Sequence, residues 1–484
     1  MSDTPRKTKI LATLGPATET PEMLRELIKA GADVFRLNMS HAKHDWVKQI
    51  IKDIRKASKQ EKRDVSVLMD LTGPSIRTGD VDGKLELNKG DHLEFLLGDY
   101  ESELPLSVGV NYPGLGKDLE VGKTILVDNG VLHMKVLEIR SDRVICEVLT
   151  SGTMGSRRHI NLPGTKVSLP ALTEKDHGDL NLGVEVGVDF FAMSFARDAN
   201  HIRDLKAIIQ HEGSKARVIA KIEDQEAVKN LEDIIESSDA VMVARGDLGI
   251  ECHLEELPVI QRRIIQLCSK IGRKVIVATH MLESMVENPG PTRAEVTDVA
   301  NAVYEQADAV MLSGETTIGK YPVKSVETLD RIARRIEEEE SRGIGFAYDR
   351  PLTSVRHRTA KSAAVLANSI PGSKLLVFTQ RGSTAHLLAH QRPEHSPIFA
   401  FSPNLDTCRS LNLARSVIPF LCDFKDDPEE TVEAGVTLLR ENGYVDEDDQ
   451  LVILSDVLQG KYVVDSILLR KVTRTRLHDR PKNP

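Results

Sequence analysis

Short apolar runs, each followed by a helical pattern, recur along most of this chain, and the recurrence leaves few folds open. Lys9–Thr13 breaks at Leu14-Gly15-Pro16, and Leu24, Leu27 and Ile28 then share one helical face behind Pro21. Val34–Asn38 is followed by a helical pattern over Trp46–Ile54, and Val65–Met69 ends in Asp70. Strand-helix units in series predict a parallel sheet with helical crossovers. The pattern stops near Gly73 and resumes at Asp189–Met193, then returns at Val218–Ile222, Ala240–Ala244, Val275–Thr279 and Ala309–Leu312. Three strands before the break and five after it make eight. Anchors at Lys221, Ala244, Thr279 and Leu312 lie 23, 35 and 33 residues apart, the length of one unit. Eight units predict an α/β chain closed into a (β/α)8 TIM barrel, with its active site where the strands end. An open doubly wound sheet is the alternative, but no glycine fingerprint for a dinucleotide is present.

Between Gly73 and Pro170 the chain is rich in glycine and short β-like runs, and Asp128-Asn129-Gly130 between two of them signals a hairpin. This predicts an inserted β-barrel-like lid domain at 72–170, leaving 1–71 and 171–343 for the barrel. The charge run Glu337–Glu340, with Ser341-Arg342-Gly343, closes the last barrel helix and marks a boundary. From 344 to 484 a C-terminal α/β domain is expected, with a helix near Val355–Ser369 and strands at Lys374–Phe378, Ile398–Phe401, Val417–Leu421 and Leu451–Leu454. Charges of both signs are interspersed to a net of -9, without the basic stripe that nucleic acid requires. No apolar run reaches the ~20 residues of a membrane span, and MSDTPRKTK is not a signal peptide. The five cysteines include no Cys-x-x-Cys pair, which suits reduced thiols and a cytoplasmic location.

The expected strand ends are polar. Met242–Gly249 reads MVARGDLG: an apolar run breaks into Arg245-Gly246-Asp247 where a helix begins. Glycine admits a ligand to the backbone, free N–H groups at a helix start attract anions, and a carboxylate beside them can hold a cation. The other ends offer Arg36, Asn38, Ser40 and His41; Asp70 with Arg77 beyond it; Ser194; Lys221 and Glu223; Thr279; and Ser313 with Glu315. Singly, such residues are most often turn or helix caps. Lys221 differs, because its strand leads it into a barrel interior where an unpaired ammonium is costly. Glu223 and Asp247 are hard oxygen ligands suited to Mg²⁺, and Arg36, Arg77 and Lys221 can stabilise a phosphoryl group in flight. Asn38, Ser40 and Asp70 supply oxygens for a monovalent cation. Alignment and neutralised charge are mainly what phosphoryl transfer needs.

With these residues in place, the chain resembles the pyruvate kinases. The matching stretches are TKILATLGPAT (Thr8–Thr18), FRLNMSH (Phe35–His41), IRTG (Ile76–Gly79), NLPG (Asn161–Gly164), AKIE (Ala220–Glu223), MVARGDLG, ATHMLESM (Ala278–Met285), PTRAEVTDVANAV (Pro291–Val303) and MLSGET (Met311–Thr316). The resemblance implies transfer of the phosphoryl group of phosphoenolpyruvate to ADP, giving pyruvate and ATP. It implies that Lys221 stabilises the phosphoryl and the enolate, with Ser194 among the substrate-binding residues. Glu223 and Asp247 would hold one Mg²⁺, and a second would arrive with the nucleotide. Gly246, Asp247 and Thr279 would seat the substrate carboxylate, Thr279 lying where the proton is delivered. Arg36 and Arg77 would grip phosphates, with Asn38 and His41 near the nucleotide. Asn38, Ser40, Asp70 and the Leu71 carbonyl match the family's K⁺ site. The insert would close as a water-excluding lid, and the subunits would form a homotetramer.

Departures from the family pattern carry expectations of their own. Ser75 stands where the family usually has Glu or Lys; Leu71 and Thr72 replace the commoner Thr-Lys, Ala42 a Gly and His280 a Gln. Ser75 supplies no positive charge, so K⁺ is expected to be needed. TQRGSTA (Thr379–Ala385) resembles the family's effector phosphate loop, with Thr379, Gly382, Ser383 and Thr384 as its contacts. Near Ser455–Ser466 the family's glycine-rich loop gives way to the bulkier Lys461-Tyr462-Val463-Val464-Asp465. A singly phosphorylated effector, a sugar monophosphate or AMP, is therefore expected. A Mg²⁺-dependent oxo-acid lyase and a non-catalytic metabolite sensor remain alternatives on the same barrel.

Overall fold

The computed structural model describes residues 5–340, 350–459 and 462–473, without the side chains of Glu340 and of 456–465. Ser341-Arg342-Gly343 and Lys461 lie outside the described residues. Eight parallel strands, β1 (Lys9–Thr13), β2 (Val34–Asn38), β3 (Ser66–Asp70), β4 (Phe190–Met193), β5 (Arg217–Ile222), β6 (Ala240–Ala244), β7 (Lys274–Ala278) and β8 (Ala309–Leu312), form a closed barrel. Each pairs with its neighbours in chain order, and β1 closes on β8 with Lys9 opposite Ala309. Closure excludes the open doubly wound sheet.

Side chains alternate across a strand, so one parity on each strand faces inward. Leu11, Val34, Leu68, Phe190, Ile219, Met242, Ile276 and Met311 fill the interior, while Val67, Phe191, Val218 and Val241 pack outward with the helices. Burial on both faces is why these strands read as unbroken apolar runs. On the helix Glu174–Val186, Gly183 lies so close to the barrel wall that an added Cβ would sit 2.5 Å from the Phe191 ring and 2.9 Å from Met69 Sδ.

The insert leaves after β3 and returns before β4. It contains a six-stranded sheet and a two-stranded one around Phe95, Leu93, Ile125, Met134 and Val144. Thr124–Val127 and Leu132–Ile139 form the hairpin at Asp128-Asn129-Gly130, whose three residues take φ of 56°, 56° and 81°. Among the described residues, the insert has one short helix, Leu115–Asp118.

The C-terminal unit is a five-stranded sheet ordered Val417–Leu421, Ile398–Ser402, Lys374–Phe378, Gln450–Gln459, Tyr462–Lys471. The first four strands are parallel and the last is antiparallel. Sequence reading stops the fourth strand at Leu454 and has no fifth. In this edge strand Asp465-Ser466 splits the apolar residues, and Leu468 and Leu469 are both exposed, so it lacks the long buried run of the inner strands.

This unit seats against the strand starts. Arg392 forks onto Asp308 at 2.7 and 2.8 Å, Arg415 donates to Thr8 Oγ1 at 2.6 Å, and Ser66 Oγ donates to the Arg409 carbonyl at 2.6 Å. Leu413, fully buried, joins the interior layer of the barrel itself.

Candidate active site

Inward parity carries through to the strand ends. Ile219 points inward, so Lys221 and Glu223 follow it; in the same way Val34 leads to Arg36 and Asn38, Leu68 to Asp70, and Phe190 to Ser194. At this rim the Lys221 ammonium lies 2.7 Å from Glu223 Oε1, 2.7 Å from Ser194 Oγ and 3.3 Å from Asp70 Oδ1. Arg36 grips the other Asp70 oxygen at 2.6 and 2.7 Å and reaches Thr13 Oγ1 at 3.1 Å. Ser194 Oγ donates to the Leu71 carbonyl at 2.8 Å, which fixes it as an acceptor for Lys221. The Phe195 backbone N–H, at φ 53°, donates to Glu223 Oε2 at 2.6 Å.

These charges are buried: Lys221 is 9% exposed, Glu223 2% and Asp70 1%. Burial alone would lower the lysine, but the Asp70 and Glu223 carboxylates outweigh it and hold the ammonium charged. Asp70 likewise stays ionised despite burial, held below the usual range by Lys221 and Arg36. Glu223 goes the other way: burial, with the Asp247 carboxylate adding, pushes it up to about 7 against the pull of Lys221. Arg36 and Lys221 thus pair with Asp70 and Glu223, the Asp247 carboxylate acts on both Lys221 and Glu223, and a cation bound there would favour the ionised form of Glu223. Among the described residues no three His, Cys, Asp or Glu side chains converge as a metal cage. Glu223, whose two oxygens already meet Lys221 and the Phe195 N–H but keep further lone pairs, and Asp247 fit Mg²⁺, which takes one or two carboxylates and completes its shell with water and substrate oxygens.

Across the same rim, β6 gives way to the helix Arg245–Glu251. The Gly246 N–H donates to Thr279 Oγ1 at 2.7 Å, and that hydroxyl donates to the Ala278 carbonyl at 2.7 Å. Thr279 and His280 take φ of 67° and 53°, left-handed geometry that a β-branched residue adopts only under constraint. Arg245 supplies the constraint: its guanidinium donates to the Ala278 carbonyl at 3.1 Å and the Thr279 carbonyl at 2.6 Å, while Asp298 anchors it at 2.7 Å. Sequence reasoning assigned Arg245 no task; the abrupt basic residue after an apolar run was the available signal. Lys175 was also missed, and it bridges the Met39 carbonyl at 2.8 Å and Asp179 at 2.6 Å.

The remaining predicted residues are less tightly gathered. Asn38 Oδ1 accepts from the Ser40 N–H at 3.2 Å, and His41 is exposed beside them. Arg77 stands on the insert, donating to Ser75 Oγ at 3.3 Å and to the Arg157 carbonyl at 3.1 Å. Thr379, Gly382, Ser383 and Thr384 belong to the C-terminal unit, in the loop after the strand Lys374–Phe378 and the first turn of the next helix. Thr379 Oγ1 accepts from the Gly382 N–H at 3.0 Å, and Gly382, at φ 81°, starts the helix Ser383–His390.

A closed parallel barrel that converges buried cations and carboxylates on one rim, under an inserted β domain, defines an enzyme of the TIM-barrel class working on a small anion. The family models for the pyruvate kinase barrel domain and the pyruvate kinase alpha/beta domain match residues 5–326 and 357–466. Plastidial pyruvate kinase 2 of Arabidopsis thaliana is 40% identical over 460 residues, 94% of this chain and 78% of that protein. Pyruvate kinase 2 of Synechocystis sp. is 40% identical over 466 residues, 95% of this chain and 78% of that protein. A crystal structure of a pyruvate kinase from Cryptosporidium parvum superposes with a TM-score of 0.89 at 34% identity, covering 96% of each chain. The chain belongs to the pyruvate kinase family. That family is one of phosphotransferases, and neither the lyase nor the sensor reading finds support. Among the described residues, no helix is long and apolar enough to cross a membrane.

Proposed function

We propose that this chain transfers the phosphoryl group of phosphoenolpyruvate to ADP through the residues at the barrel rim. The observation that carries this reading is the convergence of Lys221, Glu223, Asp70, Arg36 and Ser194 on one buried cluster. In the reaction the bond from phosphorus to the enol oxygen breaks, and a β-phosphate oxygen of ADP bonds to that phosphorus. The enolate left behind takes a proton on carbon and becomes pyruvate.

The roles we assign are read from position. Lys221, held charged in a buried site, neutralises charge on the moving phosphoryl and the enolate. Ser194 and Asp70 keep its ammonium aimed, and Ser194 lines the substrate position. Arg36 and Arg77 grip phosphate oxygens, and Asn38 and His41 lie on the nucleotide side. Asp247 and the Gly246 backbone, with the Thr279 hydroxyl, seat the substrate carboxylate, and Thr279 stands where the enolate receives its proton. Glu223 and Asp247 would hold Mg²⁺, a second Mg²⁺ entering with ADP; when bound, the metal supplies further neutralisation of phosphate charge. Closure of the insert excludes water that would intercept the phosphoryl group. A coupled assay with phosphoenolpyruvate, ADP and Mg²⁺ tests the reading: pyruvate and ATP should form together. Carbon-carbon cleavage without ADP, or no product at all, would overturn it.

The K⁺ reading places the ion among Asn38, Ser40, Asp70 and the Leu71 carbonyl. Ser75 is neutral and accepts from Arg77, so no side chain at that position replaces the ion's charge. Turnover should fall in K⁺-free buffer at equal ionic strength; undiminished turnover sinks this assignment. At Thr379–Thr384 the reading is a single phosphate from a sugar monophosphate or AMP, seated on the start of the helix Ser383–His390. Titration should then change substrate affinity, and indifference to every phosphate refutes regulation at this loop. A homotetramer in the cytoplasm completes the proposal.

A further inference from the structure

One buried carboxyl outside the rim cluster has no cation of its own. Glu251, 8% exposed, ends the helix whose first turn carries Gly246 and Asp247. Arg197, whose field reaches it, is ion-paired with Asp224 at 2.9 Å. The partners of Glu251 come from the lid. Asn161 Nδ2 donates to Oε1 at 2.9 Å, and the Leu162 backbone N–H faces the same carboxyl. Asn161 is 2% exposed, and its Oδ1 is buried without a hydrogen-bond partner. Beside the pair, the lid's hairpin turn rests on the same helix: a Cβ on Gly130 would lie 3.4 Å from Ile250. On the barrel side, Gln225 Nε2 donates to the Glu251 carbonyl at 2.5 Å.

An ionised carboxylate can only accept, so it satisfies Asn161 Nδ2 and leaves Oδ1 orphaned at a penalty. A protonated carboxyl donates as well. It would return its O–H to Asn161 Oδ1 while accepting from Nδ2, satisfying both groups with no buried charge. We propose that Glu251 and Asn161 pair as acid and amide, a latch that holds the lid strand on this helix and so positions the Gly246–Asp247 turn. Glu251 is therefore a positioning residue, acting through the helix it terminates.

Burial, reinforced by the Asp224 carboxylate, pushes Glu251 up to about 7, against Asn161, Arg197 and the Leu162 N–H, which favour the ionised form. Glu226, Lys229 and Lys166 are the other charged groups around the adjoining cavity of about 210 Å³, and His159, which burial holds below the ordinary imidazole value, also lines it and is common to the native chain and every Glu251 variant. The latched state keeps a proton that the open state, near the ordinary value of 4.5, gives up. Closure is therefore strongest below the ordinary value, weakens across the window up to about 7, and is level above it.

The latch rests on the lid reading above, and hydrogen exchange tests it without turnover. Exchange is followed by mass spectrometry on the full chain, in peptides covering Ile160–Leu162 and Arg245–Glu251, with intrinsic pH effects removed. Protection should fall roughly ten- to hundredfold between about pH 5 and about pH 7.5. Glu251→Gln, whose amide pairs reciprocally with Asn161 at any pH, should stay protected across that range, and Glu251→Leu should be unprotected throughout. Identical pH curves for the native chain and Glu251→Gln would overturn the latch while leaving phosphoryl transfer untouched. Should Glu251→Leu fail to fold, that comparison alone decides.

Discussion

Lys221 is held by Glu223, Asp70 and Ser194 before any substrate arrives, so its ammonium is aimed without reorganisation. Removing it should act twice. Lys221→Met takes away the main cation of the proposed reaction and leaves two buried carboxylates facing each other. Turnover should fall by roughly 10²–10³-fold, and unfolding in denaturant should show a loss of about 3–5 kcal/mol. A variant with near-native turnover would remove Lys221 from the mechanism. At this scale the sequence was informative because strand ends seldom carry so many charged groups. What it left hidden were contacts between distant segments. Asn161 and Glu251 lie 90 positions apart, and neither has a motif that names the other. Arg245 was visible as a residue, but not as the clamp that holds Thr279 in left-handed geometry.

Among elements, the barrel strands were legible because both of their faces are buried, so apolar runs appear without gaps. The period-two parity behind the site was implicit in the same runs, since knowing that Ile219 faces inward fixes Lys221 and Glu223. The terminal hairpin strand Tyr462–Lys471 was not legible, because Asp465-Ser466 splits its apolar residues into short pieces. Helix placement depends on close approach as well as on apolar stripes. Gly183 lets its helix settle on Phe191 and Met69 with no room for a methyl group. Gly183→Ala should therefore destabilise the chain by about 1–3 kcal/mol in spite of alanine's better helix propensity. Equilibrium denaturation measures this directly, and a more stable variant would mean the packing is looser than described.

For the molecule as a whole, the telling contact is Leu413, contributed by the C-terminal unit to the interior of the barrel. Arg392 on Asp308 and Arg415 on Thr8 bind the same two bodies together at the strand starts. Leu413→Ala should cost about 2–5 kcal/mol, and calorimetry should show the barrel and the C-terminal unit melting together at a lower temperature. Two separate transitions, with only the later one shifted, would show that the bodies are independent. A barrel completed by a residue so far downstream also has a schedule. Once the ribosome has passed β8 and the helix Pro322–Glu340 that follows it, the nascent barrel has its strands but not its floor. Final closure must wait until the segment around Leu413 emerges from the exit tunnel, leaving greasy strand starts open to chaperones in the interval.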